Sequence, residues 1–206
     1  MPRLRRVEQV ERNREAVLAA AQRVFVARGY AGATLDAIAD EAGFSRGVVY
    51  SQFGSKADMF FALLERRISQ RAIQNEQIAA EFAGPAGLAR LLRAAQQYDA
   101  AEPGWAHLLV EFRALAMRDA ELNRRYAEAH ALTITGIASA LERLYESSGL
   151  QPTVSLRTVA EFLQASAAGA ALERAANPNA LPEEDIALLL GRALGLTDAT
   201  IEAPRS

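Results

Sequence analysis

Small and hydrogen-bonding side chains are gathered in one short stretch of the chain, residues 45–52. Within and just after it, Val49 and Phe53 are four residues apart and would share the buried side of a helix. The opposite side would be exposed and could form hydrogen bonds with a partner. That side carries Arg46, Gly47, Val48, Tyr50, Ser51 and Gln52.

Two short helices joined by a tight turn are predicted to position this stretch. Thr34 can cap the first helix by accepting from its free N–H groups, and Asp36 suits the positive helix end. Gly43 follows, as expected where a chain leaves a helix in a left-handed conformation, and Ser45 is a second cap. Helix, glycine-centred turn and helix form the layout of a helix-turn-helix reader of DNA. Helical hairpins with a glycine turn are common, however, so spacing alone does not decide the matter.

Five segments carry a family resemblance: Thr34–Ala39, Ala42–Gly47, Tyr50–Lys56, Ala20–Phe25 and Gly29–Tyr30. They resemble the DNA-binding region of the TetR-type (TetR/AcrR) transcriptional regulators, over about residues 10–65. The remaining two-thirds of the chain is similar to the family only in architecture. One departure is Gln52, where the family most often has histidine before the phenylalanine. Glutamine can also donate a hydrogen bond, so the motif stands.

The resemblance implies that a recognition helix, about residues 45–52, lies in the major groove of DNA. Arg46 would read a guanine through two hydrogen bonds, a contact worth about 1–3 kcal/mol of discrimination. Val48 would meet a thymine methyl group, and Gly47 would let the backbone approach DNA closely. Alternatively, Tyr50 packs half-buried and Arg46 only solvates the surface. The implied DNA contacts are Thr34, Ser45, Arg46, Gly47, Val48, Tyr50, Ser51, Gln52 and Lys56.

Lys56 is the single lysine among 23 basic residues and begins the third helix of the motif. There its ammonium group and the free N–H groups of the helix start could grip a phosphate together. The resemblance implies that Tyr50 also contacts phosphate, with Thr34 and Gln52 in support.

The net charge of −2 does not indicate nucleic-acid binding, but the distribution of charge along the chain does. Residues 1–70 hold 11 arginine or lysine residues against 8 acidic ones, whereas residues 71–206 hold 12 against 17. A basic end on an acidic body fits a separate DNA-contacting head, although chance clustering of surface charge would look the same.

Several classes of protein are disfavoured by composition. The chain has no cysteine, which excludes disulfides, thiol catalysis and cysteine-ligated metals. No run of 18 apolar residues exists, and the charged start has no apolar signal region, so a cytoplasmic protein without membrane contact is expected. His107 and His130 are the only histidines and have no acidic cluster around them, so neither a metal site nor a cofactor is predicted.

Apolar residues recur at helical spacing along the whole chain, and no segment alternates with period two for long enough to form a strand. An all-α fold of about nine helices is predicted. The first helix spans residues 3–28 with a basic start at Arg3, Arg5 and Arg6, and Ser55 with Asp58 opens a long helix in a capping box. A DNA-binding head is expected over residues 1–58, and an effector-binding and dimerisation body over residues 59–206.

Dimerisation is predicted through the last two long helices, where small side chains would let another helix approach closely. The TetR resemblance implies the same helices. The alternative is intrachain packing in an alanine-rich protein. The interface residues predicted are Leu163, Ala167, Ala170, Ala171, Ile186, Leu189, Leu190 and Ala193.

An apolar effector cavity among the body helices is implied by the resemblance, with Tyr126, His130 or Ser166 as polar anchors. Plain core packing is the alternative for each residue. The candidate lining residues are Trp105, Leu109, Phe112, Tyr126, His130, Thr133, Phe162 and Ser166.

The sequence thus predicts a bacterial, homodimeric transcriptional regulator that binds a palindromic operator on double-stranded DNA. It is expected to be a repressor released by a small, largely apolar molecule. An all-α enzyme is the first rival, but the chain shows no nucleophile–base pair, metal set or glycine-rich phosphate loop. The second is a helical interaction module with a non-functional head, which would leave Arg46, Tyr50 and Lys56 without a role.

Overall fold

The computed structural model describes residues 2–101, 103–197 and 200, with side chains from residue 8 onward except 96–101 and 103. Across this described part the chain forms nine helices and no strand, which confirms the all-α prediction. Arg3, Arg5 and Arg6, the predicted basic start, lie outside the described side chains. The helices are α1 (Pro2–Gly32), α2 (Leu35–Ala42), α3 (Arg46–Phe53), α4 (Lys56–Glu81), α5 (Gly84–Ala101), α6 (Pro103–Ala116), α7 (Ala120–Glu146), α8 (Leu156–Ala176) and α9 (Glu183–Ala193).

The described residues divide into two compact units. The first comprises the chain up to Arg67 together with Leu108–Tyr126, and the second comprises Ile68–His107 and the residues from Ala127 onward. The predicted domain boundary after Asp58 remains a prediction.

The first unit is built around aromatic rings from α1, α4 and α6. Phe60 and Phe112 are fully buried and stack with their ring centroids 4.0 Å apart. Tyr30 meets Phe112 edge-on at 4.8 Å, and Phe25 stacks on Tyr30 at 5.9 Å. Such pairs add to the apolar area that they bury, so this cluster fixes α1, α4 and α6 against one another.

Helix α1 is interrupted at Gly29, which has φ 68° and ψ 171°, a conformation that favours glycine. The sequence predicts that the helix ends there, but helical structure resumes and continues to Gly32. The reason lies outside the segment: the Glu111 carboxylate accepts from the backbone N–H groups of Tyr30 and Ala31, at 3.0 Å each. Free N–H groups at a helix start need such a partner.

The second unit has its own core of leucines and isoleucines from α5, α7 and the C-terminal region. Leu88, Leu141 and Leu144 are fully buried. The Tyr145 hydroxyl donates to the carbonyl oxygen of Leu194 at 2.8 Å, and burial raises the pKa of that phenol. No helix in the described part of the chain is both long and apolar enough to cross a membrane.

Candidate nucleic-acid interface

Two of the three caps that the sequence predicts around α2 and α3 are present as predicted. The Thr34 hydroxyl accepts from the Ala37 N–H at 3.1 Å, and Gly43 ends α2 in a left-handed conformation, with φ 71°. Ser45 is the residue before α3, but its hydroxyl makes no capping hydrogen bond. The Ser45 hydroxyl therefore remains exposed at the start of the helix.

Helix α3 turns one side inward and the other outward, as predicted. Val49 and Phe53 are buried in the first unit, and the guanidinium of Arg14 lies 4.7 Å from the centre of the Phe53 ring. Tyr50 is 48% exposed, so about half of its surface is available to a partner. The exposed side carries Arg46, Gly47, Tyr50 and Ser51, with Val48 half-buried beside them.

Arg46 forms an ion pair with Asp36, with Nη1 and Oδ2 2.9 Å apart. The side chains are 65% and 39% exposed, so water screens the pair and its contribution to stability is about 0–1 kcal/mol. Asp36 therefore does more than complement the α2 dipole: it pairs with the guanidinium that the family resemblance assigns to base reading. Spacing gave no signal for this contact because it crosses the turn between the two helices.

Gly47 lies inside α3, and a Cβ placed on it would meet nothing within 4 Å. Neither packing nor backbone conformation within the described chain demands glycine here. A glycine in a helix interior costs about 0.5–1 kcal/mol relative to alanine. The fold thus carries a destabilising residue on the exposed side of α3 for which it has no structural use of its own.

The two remaining polar candidates on α3 differ in how their polar groups are satisfied within the described chain. Ser51 donates from its hydroxyl to the Val48 carbonyl oxygen at 2.9 Å. Gln52 is half-buried, and its Oε1 is buried without a hydrogen bond to any described residue.

The Lys56 ammonium forms hydrogen bonds with the backbone. Its ammonium donates to the carbonyl oxygens of Tyr30 at 2.8 Å and Ala31 at 3.2 Å, and lies 4.7 Å from the centre of the Tyr30 ring. An ammonium has three N–H donors, so one remains for a phosphate. The predicted phosphate contact is compatible with this geometry, but the structural role of Lys56 was not foreseen.

The start of α4 differs in detail from the predicted capping box. The Ser55 hydroxyl accepts from the Asp58 N–H at 3.1 Å and donates to the Asp58 carboxylate at 2.6 Å. The carboxylate does not reach the Ser55 N–H, because that group donates to the Phe53 carbonyl oxygen. The Ser55 hydrogen bond and the Arg125 guanidinium, 3.0 Å away, lower the pKa of Asp58.

The effector candidates are divided between the two units. In the first, Phe112 is a fully buried member of the aromatic cluster, and burial raises the pKa of Tyr126, whose ring lies 5.5 Å from the Arg113 guanidinium. Leu109 is half-buried there. Phe112 thus has a packing role, the alternative weighed above.

In the second unit, the effector candidates range from buried to exposed. Trp105 is buried, and Thr133 donates from its hydroxyl to the Ala129 carbonyl oxygen at 3.3 Å. His130 and Ser166 are half-buried, whereas Phe162 is 56% exposed on the outer side of α8.

Several predicted dimer residues on α8 point into the chain. Ala170 is buried, and Leu163 packs against the core of the second unit, as does Leu190 on α9. Ala167, Ala171 and Ile186 are half-buried, while Leu189 and Ala193 are exposed. One exposed stripe of α8 follows helical spacing through Thr158, Phe162, Ala165, Gly169, Leu172 and Ala176, and the exposed residues beside it are Arg157, Glu161, Glu173 and Ala175.

Two family models match the chain. "Bacterial regulatory proteins, tetR family" matches residues 17–63, which contain α2 and α3, and "BetI-type transcriptional repressor, C-terminal" matches residues 85–197. Together they extend over both compact units.

Curated relatives match mainly through the N-terminal region. The transcriptional activator FasR of Mycolicibacterium smegmatis is 46% identical over 58 residues, 28% of this chain and 26% of that protein. The regulator SrpR of Pseudomonas putida is 44% identical over 59 residues, 29% of this chain and 28% of its own length. The match therefore spans about a quarter of each of these relatives. The repressor AcnR of Corynebacterium glutamicum is 23% identical over 152 residues, 74% of this chain and 76% of that one.

Solved structures share the fold over most of the chain. The regulator FadR from Bacillus subtilis, in complex with stearoyl-CoA, has a TM-score of 0.70 at 18% identity, covering 93% of this chain and 99% of FadR. A TetR-family regulator from Rhodococcus has a TM-score of 0.72 at 22% identity, covering 89% and 96%. At these identities the likeness shows the fold alone.

The named relatives are regulators of transcription, which sets aside the enzyme alternative. A helix-turn-helix with an outward-facing α3, a helical C-terminal region and two matching family models lead to one assignment. The chain belongs to the TetR family of bacterial regulatory proteins.

Proposed function

We propose that this regulator is a homodimer that binds a palindromic operator through α3 and represses transcription until a small molecule releases it. The observation that carries the DNA-reading part is the exposed side of α3. There a glycine without any packing role stands between Arg46 and the half-buried Val48, with Tyr50 three residues on.

The roles follow from the chemistry of these groups. The Arg46 guanidinium can donate two parallel hydrogen bonds to the acceptor edge of a guanine once it leaves Asp36. Gly47 lets the α3 backbone lie close to the groove. Tyr50 and Lys56 donate to phosphates and set the register of α3 without reading sequence.

A dimer is needed because one helix as short as α3 offers too little contact to select a site. Two heads about 34–36 Å apart would read two half-sites of a palindrome. The surface proposed for the dimer is the exposed side of α8 together with Leu189 of α9. Phe162 and Leu189 are 56% and 63% exposed, and the small exposed residues Ala165 and Gly169 of α8 would let a partner helix approach closely. This proposal moves the α8 contact from Leu163 and Ala170 to the opposite side of the helix.

Repression is favoured over activation by the C-terminal match to BetI-type repressors. The named relatives include both an activator and a repressor, so the sign of regulation needs its own measurement.

The effector is proposed to be small and largely apolar, and to act by shifting populations. Effector bound in the C-terminal region would favour a separation of the two heads that no longer fits successive major grooves. FadR of Bacillus subtilis, which shares the fold, was crystallised with stearoyl-CoA, and this molecule is a reasonable first probe.

The test is a selection from random-sequence DNA with the purified protein, beside an Arg46→Ala, Tyr50→Ala double variant. Arg118→Ala, an exposed arginine between α6 and α7, is the matched control for lost charge. We expect a palindrome that the wild type and the control enrich and the double variant does not. No enrichment at low salt by a folded dimer would favour the interaction-module alternative.

The selected operator then allows the effector to be tested. Operator binding is titrated with stearoyl-CoA and then with a panel of small apolar molecules. If none lowers operator affinity, the released-repressor mechanism fails, while the DNA-binding function stands.

A further inference from the structure

The three-residue turn Gly29–Ala31 is held from both of its polar sides. On the amide side, the two oxygens of Glu111 accept from the N–H groups of Tyr30 and Ala31, each at 3.0 Å. On the carbonyl side, the Lys56 ammonium donates to the carbonyl oxygens of the same two residues, at 2.8 and 3.2 Å. We call this arrangement the Gly29 clamp: Glu111, Lys56 and the turn between them.

The clamp joins parts of the sequence that are far apart. Glu111 comes from α6 and is 80 residues from Ala31. Lys56 opens α4 directly after α3, and the turn itself comes shortly before Thr34, the cap of α2. Lys56 therefore links the start of α4 to the segment before α2, and Glu111 links that segment to α6.

The geometry around Gly29 leaves little freedom for the carboxylate. A Cβ on Gly29 would lie 2.6 Å from Oε2 of Glu111, so any larger residue would displace it. Phe112, the next residue of α6, is fully buried and stacks on Phe60 of α4 at 4.0 Å. The base of the Glu111 side chain is thus fixed by its neighbour, and the carboxylate cannot easily follow the turn if the turn moves.

We propose that Glu111 is a positioning residue for DNA binding: from α6, it fixes the turn that sets where the helix-turn-helix begins. The inference rests on the proposed function. Hydrogen bonds to a charged acceptor are stronger than neutral ones. Losing them frees the turn, and α3 then meets the groove less well aligned. Contacts to phosphate, which tolerate misalignment, are kept.

The test uses the full-length protein and the operator obtained by selection, with a scrambled duplex as non-specific DNA. Glu111→Gln keeps the size of the side chain but leaves one acceptor oxygen for two N–H donors. We expect the ratio of specific to non-specific affinity, per active molecule, to fall about tenfold. Amide hydrogens of Tyr30 and Ala31 should exchange faster in the same variant.

Two further variants test whether the effect of Glu111→Gln comes from the lost contact with the turn. One controls for the loss of a negative charge, and the other disturbs the same contact from the Gly29 side. Glu65→Gln removes the same charge from an exposed position of α4 and should leave the affinity ratio within about twofold of wild type. Gly29→Ala pushes the carboxylate away from the other side and also strains the backbone at φ 68°, so it should lower the ratio at least as much as Glu111→Gln does. Since both break the same contact, the double variant should lose less than the product of the single losses.

The possible outcomes distinguish a failure of the Glu111 inference from a failure of the proposed function. A Glu111→Gln ratio equal to that of Glu65→Gln would overturn the inference while the proposed function stands. Unchanged exchange at Tyr30 and Ala31 would also overturn it, since the carboxylate would then not hold the turn. A wild-type chain that enriches no DNA sequence would overturn the proposed function and this inference with it.

Discussion

At the scale of single residues, a substitution at Gly47 is expected to change stability and DNA affinity in opposite directions. Gly47→Ala places a methyl group in open space in the first turn of α3 and improves helix propensity, so the free energy of unfolding should rise by at most about 0.5–1 kcal/mol, the value for a helix interior. If the backbone of α3 lies close to the groove, the same methyl group should weaken operator binding. Denaturant unfolding and fluorescence anisotropy with operator DNA measure the two effects.

Gly136→Ala is the matched control for Gly47→Ala. Gly136 lies inside α7, where a Cβ would make an ordinary contact with Ala72 at 3.8 Å. A similar gain in stability is expected there without any change in DNA affinity. If Gly47→Ala binds the operator as well as wild type does, the glycine is not needed for close approach.

Asp36 is expected to restrain Arg46 until DNA is bound. Asp36→Asn frees the guanidinium from its ion pair, so affinity for non-specific DNA should rise and discrimination at one guanine position should fall. Binding to operators with each base at that position, at two salt concentrations, measures both. Asp40→Asn removes the same charge from the exposed side of α2. If the two variants behave alike, only the charge of Asp36 matters.

At the scale of elements, local signals predicted the helices well. The cap Thr34 and the terminator Gly43 both agree with the structure. These features depend on residues within one helical turn of each other, which a sequence displays directly.

The contacts that local signals missed all cross between elements. Glu111 at the Gly29 turn, Arg125 at Asp58 and Asp36 at Arg46 depend on how helices pack, and no spacing rule reports that. For the same reason the sequence did not show that Leu163 and Ala170, two of the predicted dimer residues on α8, pack within the chain, since small residues occur on both sides of α8.

The start of α4 should give the protein part of its acid sensitivity. The Ser55 hydrogen bond and Arg125 lower the pKa of Asp58 in the folded state. A lowered carboxyl pKa stabilises the fold above the unfolded-state pKa of about 3.9, and this contribution is lost as the pH falls below that value and through the lower folded-state pKa. Asp58→Asn should therefore lower stability at pH 7 and flatten the loss of stability below about pH 4.

Unfolding midpoints from pH 7 to 2.5 test the role of Asp58, with Asp40→Asn as an exposed carboxylate on α2 for comparison. If Asp58→Asn and wild type lose stability in parallel below about pH 4, the Ser55 and Arg125 contacts do not protect the carboxylate.

At the scale of the whole molecule, positive and negative charges are distributed unevenly along the chain. The positive excess lies in residues 1–70, which contain α2 and α3, and the negative excess in the remainder. A basic head raises the rate of encounter with DNA, whereas an acidic C-terminal region disfavours binding through the wrong surface. Distribution rather than net charge is thus the informative quantity, and the sequence alone is enough to see it.

The exposed apolar side of α8 and α9 is expected to be covered by a second copy of the chain. Phe162→Glu with Leu189→Glu would place two charges per protomer in that contact, so the dimer should dissociate. Because two linked heads bind far more tightly than one, operator affinity should fall on the order of 100-fold. Non-specific binding, which each α3 makes separately, should change much less.

Sedimentation measures the oligomeric state, and Met117→Glu is the matched control for a new surface charge. Met117 is 75% exposed after α6 and belongs to the first unit, not to α8 or α9, so this variant should remain a dimer with wild-type operator affinity. A Phe162→Glu, Leu189→Glu variant that stays dimeric would place the interface elsewhere. A variant that becomes a folded monomer yet binds the operator as wild type does would show instead that one head selects its site alone, against the argument from the short length of α3.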